Sequence, residues 1–111
     1  MITTHVLDLT QGGPAVNVAV ILEIRQANDW SPVGRGVTDA KGRLTSLTEG
    51  LPMPPGIYRL IFDLGAYHRA QGMSIPFFPE ATITFNVRDT SEHYHVPLVI
   101  SPYGYSTYRG T

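Results

Sequence analysis

Four histidines give this chain its clearest source of acid–base chemistry: His5, His68, His93 and His95. A neutral imidazole can take up or release a proton near neutral pH, and it is also a common zinc ligand. His93 and His95 are two residues apart in a segment that alternates like a strand, so their side chains should share one face. The apolar residues of this segment occupy the opposite face: Tyr94, Val96, Leu98 and Ile100. The two histidines are therefore not predicted to lie in the core.

Spacing alone leaves two uses of these histidines open. His93 and His95 are either polar surface residues or ligands of a metal such as zinc, with His5 as a third ligand. Short histidine motifs often arise by chance, so the spacing does not decide between them. His68 falls in a predicted helix, where we expect its side chain to be exposed to solvent.

Two arginines and a group of tyrosines add hydrogen-bonding capacity. Arg43 follows Gly42 at the start of a short predicted strand, and Arg109 lies in the C-terminal segment PYGYSTYRGT. Each arginine is either a solvated charge or a guanidinium that binds a planar, oxygen-rich ligand through two hydrogen bonds. The tyrosines of this segment are either edge-strand aromatics or the rim of a pocket: Tyr103, Tyr105 and Tyr108. The chain has no nucleophile elbow, phosphate-binding loop, dinucleotide glycine pattern or Ser-His-Asp order.

Composition restricts the class of protein. A length of 111 residues predicts a single domain, 1–111, and the absence of cysteine excludes disulfides and thiolate metal sites. The net charge of -1 predicts no binding to nucleic acid or to an anionic membrane. No apolar run reaches the roughly 18 residues of a spanning helix. The first residues, MITTHVLDL, do not read as a signal peptide, so we expect a cytoplasmic protein, or a periplasmic or peroxisomal one if a presequence has been removed.

Alternating apolar residues predict seven or eight short strands. The clearest alternation lies in residues 15–26, where the predicted core face carries Val16, Val18, Val20, Leu22 and Ile24. The remaining predicted strands lie within 28–39, 38–44, 56–64, 81–87 and 93–101. Residues 63–72 predict one short helix that begins at an Asp63 cap and ends at Gly72. Strands at this spacing are typical of an antiparallel β-sandwich.

Several segments together resemble the transthyretin-like family, and most closely its 5-hydroxyisourate hydrolase branch. They are THVLDLTQGGPA (4–15), the GR of residues 42–43, DLGAYHRAQGMSIPFFPE (63–80) and HVPLVISPYGYSTYRGT (95–111). The C-terminal tetrapeptide is the signature of this branch, in which serine is the usual last residue. Here that residue is Thr111, which keeps the hydroxyl and adds a methyl group.

The resemblance implies a prealbumin-like sandwich of two four-stranded sheets with one short helix, assembled as a homotetramer from two dimers. It also implies hydrolysis of 5-hydroxyisourate to 2-oxo-4-hydroxy-4-carboxy-5-ureidoimidazoline, a step of urate degradation in purine metabolism. The reaction opens the six-membered ring of the substrate and uses neither a metal nor an organic cofactor.

Position by position, the resemblance assigns catalytic roles to His5, Arg43 and His95. It assigns substrate binding to the C-terminal tetrapeptide: Tyr108, Arg109, Gly110 and Thr111. His93 receives no role. We hypothesise that the two catalytic histidines divide water activation and proton transfer, while the arginine orients the substrate and stabilises the oxyanion.

Three alternatives remain. One is a transthyretin-type carrier of a small ligand, which would need an apolar channel. Another is an accessory prealbumin-like module, which residues 38–60 resemble but which explains neither His5 nor the C-terminal segment. The third is a zinc hydrolase that uses His5, His93 and His95.

Overall fold

The computed structural model describes all 111 residues and consists of two β-sheets packed face to face, with one helix. The strands are β1 (Ile2–Asp8), β2 (Gly13–Pro14), β3 (Ala19–Gln26), β4 (Asp29–Val37), β5 (Arg43–Leu44), β6 (Gly56–Phe62), β7 (Ala81–Val87), β8 (Tyr94–Ser101) and β9 (Gly104–Thr107). The helix, α1, spans Leu64–Ala70. It has seven residues, and no helix of this protein is long and apolar enough to cross a membrane.

The predicted sandwich is confirmed, and its two sheets differ in their edges. One sheet has the order β4-β3-β6-β7 and is antiparallel throughout. The other has the order β2-β1-β8-β9, and β5 pairs with the same edge of β1 as β2, which makes five strands instead of the expected four. Its central pair, β1 and β8, is parallel, whereas the sequence predicted an antiparallel sandwich.

The predicted core faces are confirmed along most of the strands. Val18, Val20, Leu22 and Ile24 are all buried, and they pack against residues of the opposite sheet such as Leu98. Val16 was expected on the same face, but its side chain is 37% exposed. The strand begins only at Ala19, and Asn17 has a φ of 63°, in the left-handed region, so the alternation is interrupted before the strand starts.

Helix α1 begins and ends where the sequence predicted. The carboxylate of Asp63 accepts a hydrogen bond from the Ala66 N–H (3.0 Å), and Gly72 follows the helix with a φ of 100°. The expected exposure of His68 is wrong, because this side chain is only 3% exposed. Leu64 and His68 are four residues apart, so they lie on the same helix face, and this face packs against the sandwich.

A buried hydrogen bond ties the helix to the end of β1. The Tyr67 hydroxyl donates to Asp8 Oδ2 (2.7 Å), and Asp8 Oδ1 accepts from the Thr10 N–H (2.8 Å). Burial and the neighbouring Asp8 carboxylate raise the pKa of Tyr67 above its usual value, so the phenol stays a donor. The Asp8 carboxylate, only 5% exposed as a residue, therefore depends on Tyr67 for one of its partners.

Replacing Tyr67 by Phe should lower the free energy of unfolding by about 1–3 kcal/mol, because Asp8 would keep a buried charge with one donor fewer. Urea denaturation measures this change. Thr82→Val is the matched control, since it also removes a hydroxyl that donates to a carboxylate (Glu80 Oε2, 3.3 Å) but at an exposed position, and it should change stability by less than about 0.5 kcal/mol. Equal effects of the two substitutions would contradict the role given to the Tyr67–Asp8 pair.

Candidate active site

The parallel pairing of β1 with β8 places residues from the two ends of the chain side by side. In this ladder Thr3 lies opposite His95, and His5 lies opposite Pro97. Strand β5 pairs with the other edge of β1 and places Arg43 opposite His5. Because alternate residues share a face, the outer face of this sheet gathers Thr3, His5, His95 and the neighbouring His93.

The Thr3 hydroxyl joins two of these histidines. Its Oγ1 lies 2.7 Å from His93 Nε2 and 2.8 Å from His95 Nδ1, and Thr3 is only 2% exposed. His93 is exposed and His95 is partly buried. His93, which sequence reasoning left without a role, is thus part of the hydrogen-bonded cluster. Thr3 itself was missed, although the alternation of β1 places it on the same face as His5.

The His5 ring is held by a backbone carbonyl. His5 Nε2 lies 2.8 Å from the carbonyl oxygen of Lys41. A carbonyl can only accept, so Nε2 carries the proton of this bond. In the neutral ring, Nδ1 of His5 is then the nitrogen with the free lone pair. The contact therefore sets the tautomer as well as the orientation of His5.

A tight turn before β5 positions both this carbonyl and Arg43. The Asp39 carboxylate accepts from the Lys41 N–H (2.8 Å) and the Arg43 N–H (3.0 Å), and these bonds lower its pKa. Gly42 has a φ of 75°, and a Cβ there would lie 2.4 Å from the carbonyl oxygen of Val6. A glycine is required before Arg43 because the turn packs directly on the backbone of β1.

A cleft of about 520 Å³ opens on this face of the sheet. Arg43, His95 and Thr111 line it together with Thr3 and His93, and Met1 is its one apolar residue. Burial lowers the pKa of His95, and the charges of His93, His5 and Arg43 lower it further. His95 is therefore a neutral imidazole near pH 7, which is the form that can accept a proton.

The C-terminal segment crosses directly over His95. The Gly110 N–H donates to the His95 carbonyl (2.8 Å), and the two residues form an isolated β-bridge. A Cβ on Gly110 would lie 2.6 Å from Cδ2 of the His95 ring. The absence of a side chain at Gly110 thus lets the segment lie against this ring and carries Thr111 to the cleft.

Tyr108 and Arg109 lie on a different surface of the chain. They line an apolar groove of about 260 Å³ that also includes Phe85 and Tyr94. The Arg109 guanidinium lies 4.7 Å from the centre of the Tyr94 ring, and its Nη2 lies 3.3 Å from Glu92 Oε1. Within one subunit the structure gathers Arg43, His95 and Thr111 in the cleft with His5 beside it, and it does not bring Tyr108 or Arg109 there.

A zinc site would need at least three side chains that converge on one ion. No group of three or more His, Cys, Asp or Glu side chains is placed to hold a metal ion. In the structure, His93 Nε2 and His95 Nδ1 bond the Thr3 hydroxyl.

A two-sheet sandwich whose outer face carries a histidine–arginine cluster, crossed by a C-terminal segment, defines a transthyretin-like protein. Residues 2–110 match the family model described as the HIUase/Transthyretin family, and the chain belongs to this family.

Individual relatives include both branches of the family. The 5-hydroxyisourate hydrolase of Salmonella typhimurium is 43% identical over all of this chain and 81% of its own length. The solved 5-hydroxyisourate hydrolase of Klebsiella pneumoniae is 34% identical with a TM-score of 0.86, over 99% of this chain and 97% of that one. Transthyretin from Sparus aurata is also 34% identical, with a TM-score of 0.91 over 98% and 95% of the two chains. The fold alone therefore does not separate the 5-hydroxyisourate hydrolases from the transthyretins.

The contact between Gly110 and His95 gives a direct test of the site. Gly110→Ala should lower catalytic turnover by about 10-fold or more, because the new methyl group would push the His95 ring out of its hydrogen bond with Thr3. Gly104→Ala is the matched control, since a Cβ there would meet only the Ser101 hydroxyl at 3.7 Å. The measurement is the turnover of both variants. Full activity of Gly110→Ala would contradict a role of the Gly110–His95 contact in the site.

Proposed function

We propose that this protein hydrolyses 5-hydroxyisourate, opening the six-membered ring to give 2-oxo-4-hydroxy-4-carboxy-5-ureidoimidazoline in urate degradation. The observation that carries the proposal is the cleft in which neutral His95, Arg43 and Thr111 meet, with His5 beside them. The names of the bacterial relatives support the same activity. The cytoplasmic location expected from the sequence stays a prediction.

The geometry supports a division of roles among the three catalytic residues. His95 accepts a proton from water through Nε2, since its Nδ1 is engaged with Thr3. The oxygen of that water attacks the ring carbonyl, and Arg43 stabilises the negative charge that develops on the carbonyl oxygen. The departing ring nitrogen then receives that proton back through His5, whose Nδ1 lone pair, left free by the bond from Nε2 to the Lys41 carbonyl, accepts the proton and passes it on.

The carrier alternative is disfavoured by the lining of the cleft. One solved neighbour is the transthyretin of sea bream in complex with thyroxine. A site for a large apolar ligand is lined mainly by hydrophobic side chains. Here seven of the eight lining residues are polar, charged or imidazole side chains, and Met1 is the exception. An accessory module without a site would leave this arrangement unexplained.

The proposal includes assembly as a homotetramer of two dimers. The cleft lies on an open sheet face, so a second subunit would supply the missing wall. Exposed aromatic side chains support a contact surface, with Phe77 64% and Tyr103 73% exposed and their ring centroids 6.1 Å apart. Because Tyr108 and Arg109 face away from the cleft of their own chain, any contact they make with substrate would be in the cleft of another subunit.

Purified protein should accelerate the decay of freshly generated 5-hydroxyisourate, followed by ultraviolet absorbance, in buffer that contains a chelator. Arg43→Ala should lower kcat by about 10²- to 10³-fold and His95→Asn by about 10²- to 10⁴-fold, because each removes a group that acts on the transition state. Folded protein that leaves the spontaneous rate unchanged would refute the activity, and loss on chelation with recovery on adding zinc would favour a metal site.

Arg35→Ala is the matched control for Arg43→Ala. Arg35 is an exposed arginine of β4, on the opposite sheet. Arg35→Ala should keep full activity, and both arginine variants should melt within a few degrees of the wild type, since exposed polar changes cost roughly 0.5 kcal/mol or less.

Deleting residues 108–111 should remove activity and shift the assembly from tetramer toward dimer at low concentration. The deletion removes Thr111 from the cleft and the Gly110 contact with His95, but it removes none of the buried core residues. Light scattering and the activity assay measure the two effects. Thr111→Ser, which keeps the hydroxyl, should be nearly neutral, and a fully active truncated monomer would refute both roles of the segment.

A further inference from the structure

The Thr3 hydroxyl links a partly buried histidine of the cleft to an exposed one. We infer that Thr3 and His93 together fix the tautomer of His95, so that Nδ1 carries the proton and Nε2 presents its lone pair to the cleft. The effect of this tautomer on catalysis rests on the proposed hydrolytic function. Thr3 is then a positioning residue, because the hydroxyl acts through His95 and not on the substrate.

When the rings of His93 and His95 are both neutral, the hydrogen bonds that join them to Thr3 can run in only two ways. A hydroxyl donates one hydrogen bond, and Thr3 Oγ1 lies within hydrogen-bonding distance of His93 Nε2 and His95 Nδ1. In the first arrangement His95 Nδ1–H donates to Thr3, and Thr3 donates to His93 Nε2. In the second arrangement both bonds are reversed, and the proton of His95 sits on Nε2.

Two features of the site favour the first arrangement. Arg43 lines the same cleft as His95, and a lone pair on Nε2 is better placed near a guanidinium than an N–H would be. His93 is exposed, so water can accept the hydrogen bond of its remaining Nδ1–H. The charged or titratable groups that act on His95 come from three parts of the sheet: His93 from the residue before β8, His5 from β1 and Arg43 from β5.

The first arrangement also suits the chemical step. As the oxygen of water bonds to the carbonyl carbon, one water proton moves to Nε2 of His95 and the ring becomes an imidazolium. Its Nδ1–H continues to donate to Thr3, and Thr3 continues to donate to neutral His93. Neither of the two hydrogen bonds of Thr3 has to reverse its direction during the reaction, because both are already oriented to stabilise the His95 imidazolium.

The register of the sheet holds the hydroxyl in place before any substrate arrives. Thr3 lies directly opposite His95 in the parallel ladder, and the next residue, Thr4, bonds the Val96 carbonyl through its own hydroxyl (2.6 Å). A residue that is 2% exposed in a paired strand has little freedom to turn away. The hydrogen-bond acceptor of His95 is therefore preorganised.

The test is the tautomer of His95, read by long-range proton–nitrogen NMR on histidine-labelled free protein near pH 7.5. The wild type and Thr3→Ser should show His95 with the proton on Nδ1. Thr3→Val, which keeps the shape but has no hydroxyl, should shift His95 toward the form with the proton on Nε2. A wild type already protonated on Nε2, or a Thr3→Val protein with an unchanged tautomer, would overturn the inference.

Kinetics give a second readout. Thr3→Val should lower kcat by ~10-fold or more with KM changed less than ~2-fold, while Thr3→Ser should stay within ~3-fold of the wild type. If Thr3→Val does not fold, His93→Leu at an exposed position removes the acceptor instead and should shift the His95 tautomer in the same way. The NMR result does not use the substrate, so a failure of the hydrolytic function would appear separately, as a wild type without activity.

Discussion

The parallel pairing of β1 with β8 is the constraint on which the candidate site depends. It brings Thr3 beside His95 and His5 beside Pro97, although these residues are about ninety positions apart in the chain. Closing the long loop between the two strands costs conformational entropy. Burial of the apolar side chains on their inner faces offsets this cost. The register must be correct to the residue, because a shift by one would exchange the core face with the face that carries the histidines.

The same strands therefore serve two purposes through their two faces. On β8, Leu98 and Ile100 are fully buried between the sheets, while His95 looks outward. On β1, Val6 is fully buried, and Thr4 satisfies its hydroxyl on the Val96 carbonyl, so a polar residue on the inner face costs little. Substitutions on the outer face can change the chemistry without disturbing the core, so the same sandwich is found in 5-hydroxyisourate hydrolases and in transthyretins.

Alternation and capping were enough to predict the sandwich, the core face of β3 and the limits of α1, because these depend on local periodicity and on single residues such as Asp63. His68 was misplaced because nothing local says which side of a short helix meets the sheets. The family resemblance supplied His5, Arg43 and His95 as candidates. It did not supply Thr3 or His93, since their contact exists only once the register of β1 against β8 is known.

The C-terminal tetrapeptide is a signature of the family, but its four residues do not all lie at the same surface of the subunit. Its first two residues, Tyr108 and Arg109, line the apolar groove, whereas its last two, Gly110 and Thr111, lie at His95 and the cleft. Gly110 lies against the His95 ring and leads Thr111 to the cleft, whereas Arg109 packs on Tyr94 in the apolar groove. A glycine is needed at the position where the backbone meets the His95 ring. Gly110 thus confines the His95 ring, and Thr111 is the residue of the C-terminal tetrapeptide that lines the cleft within one subunit.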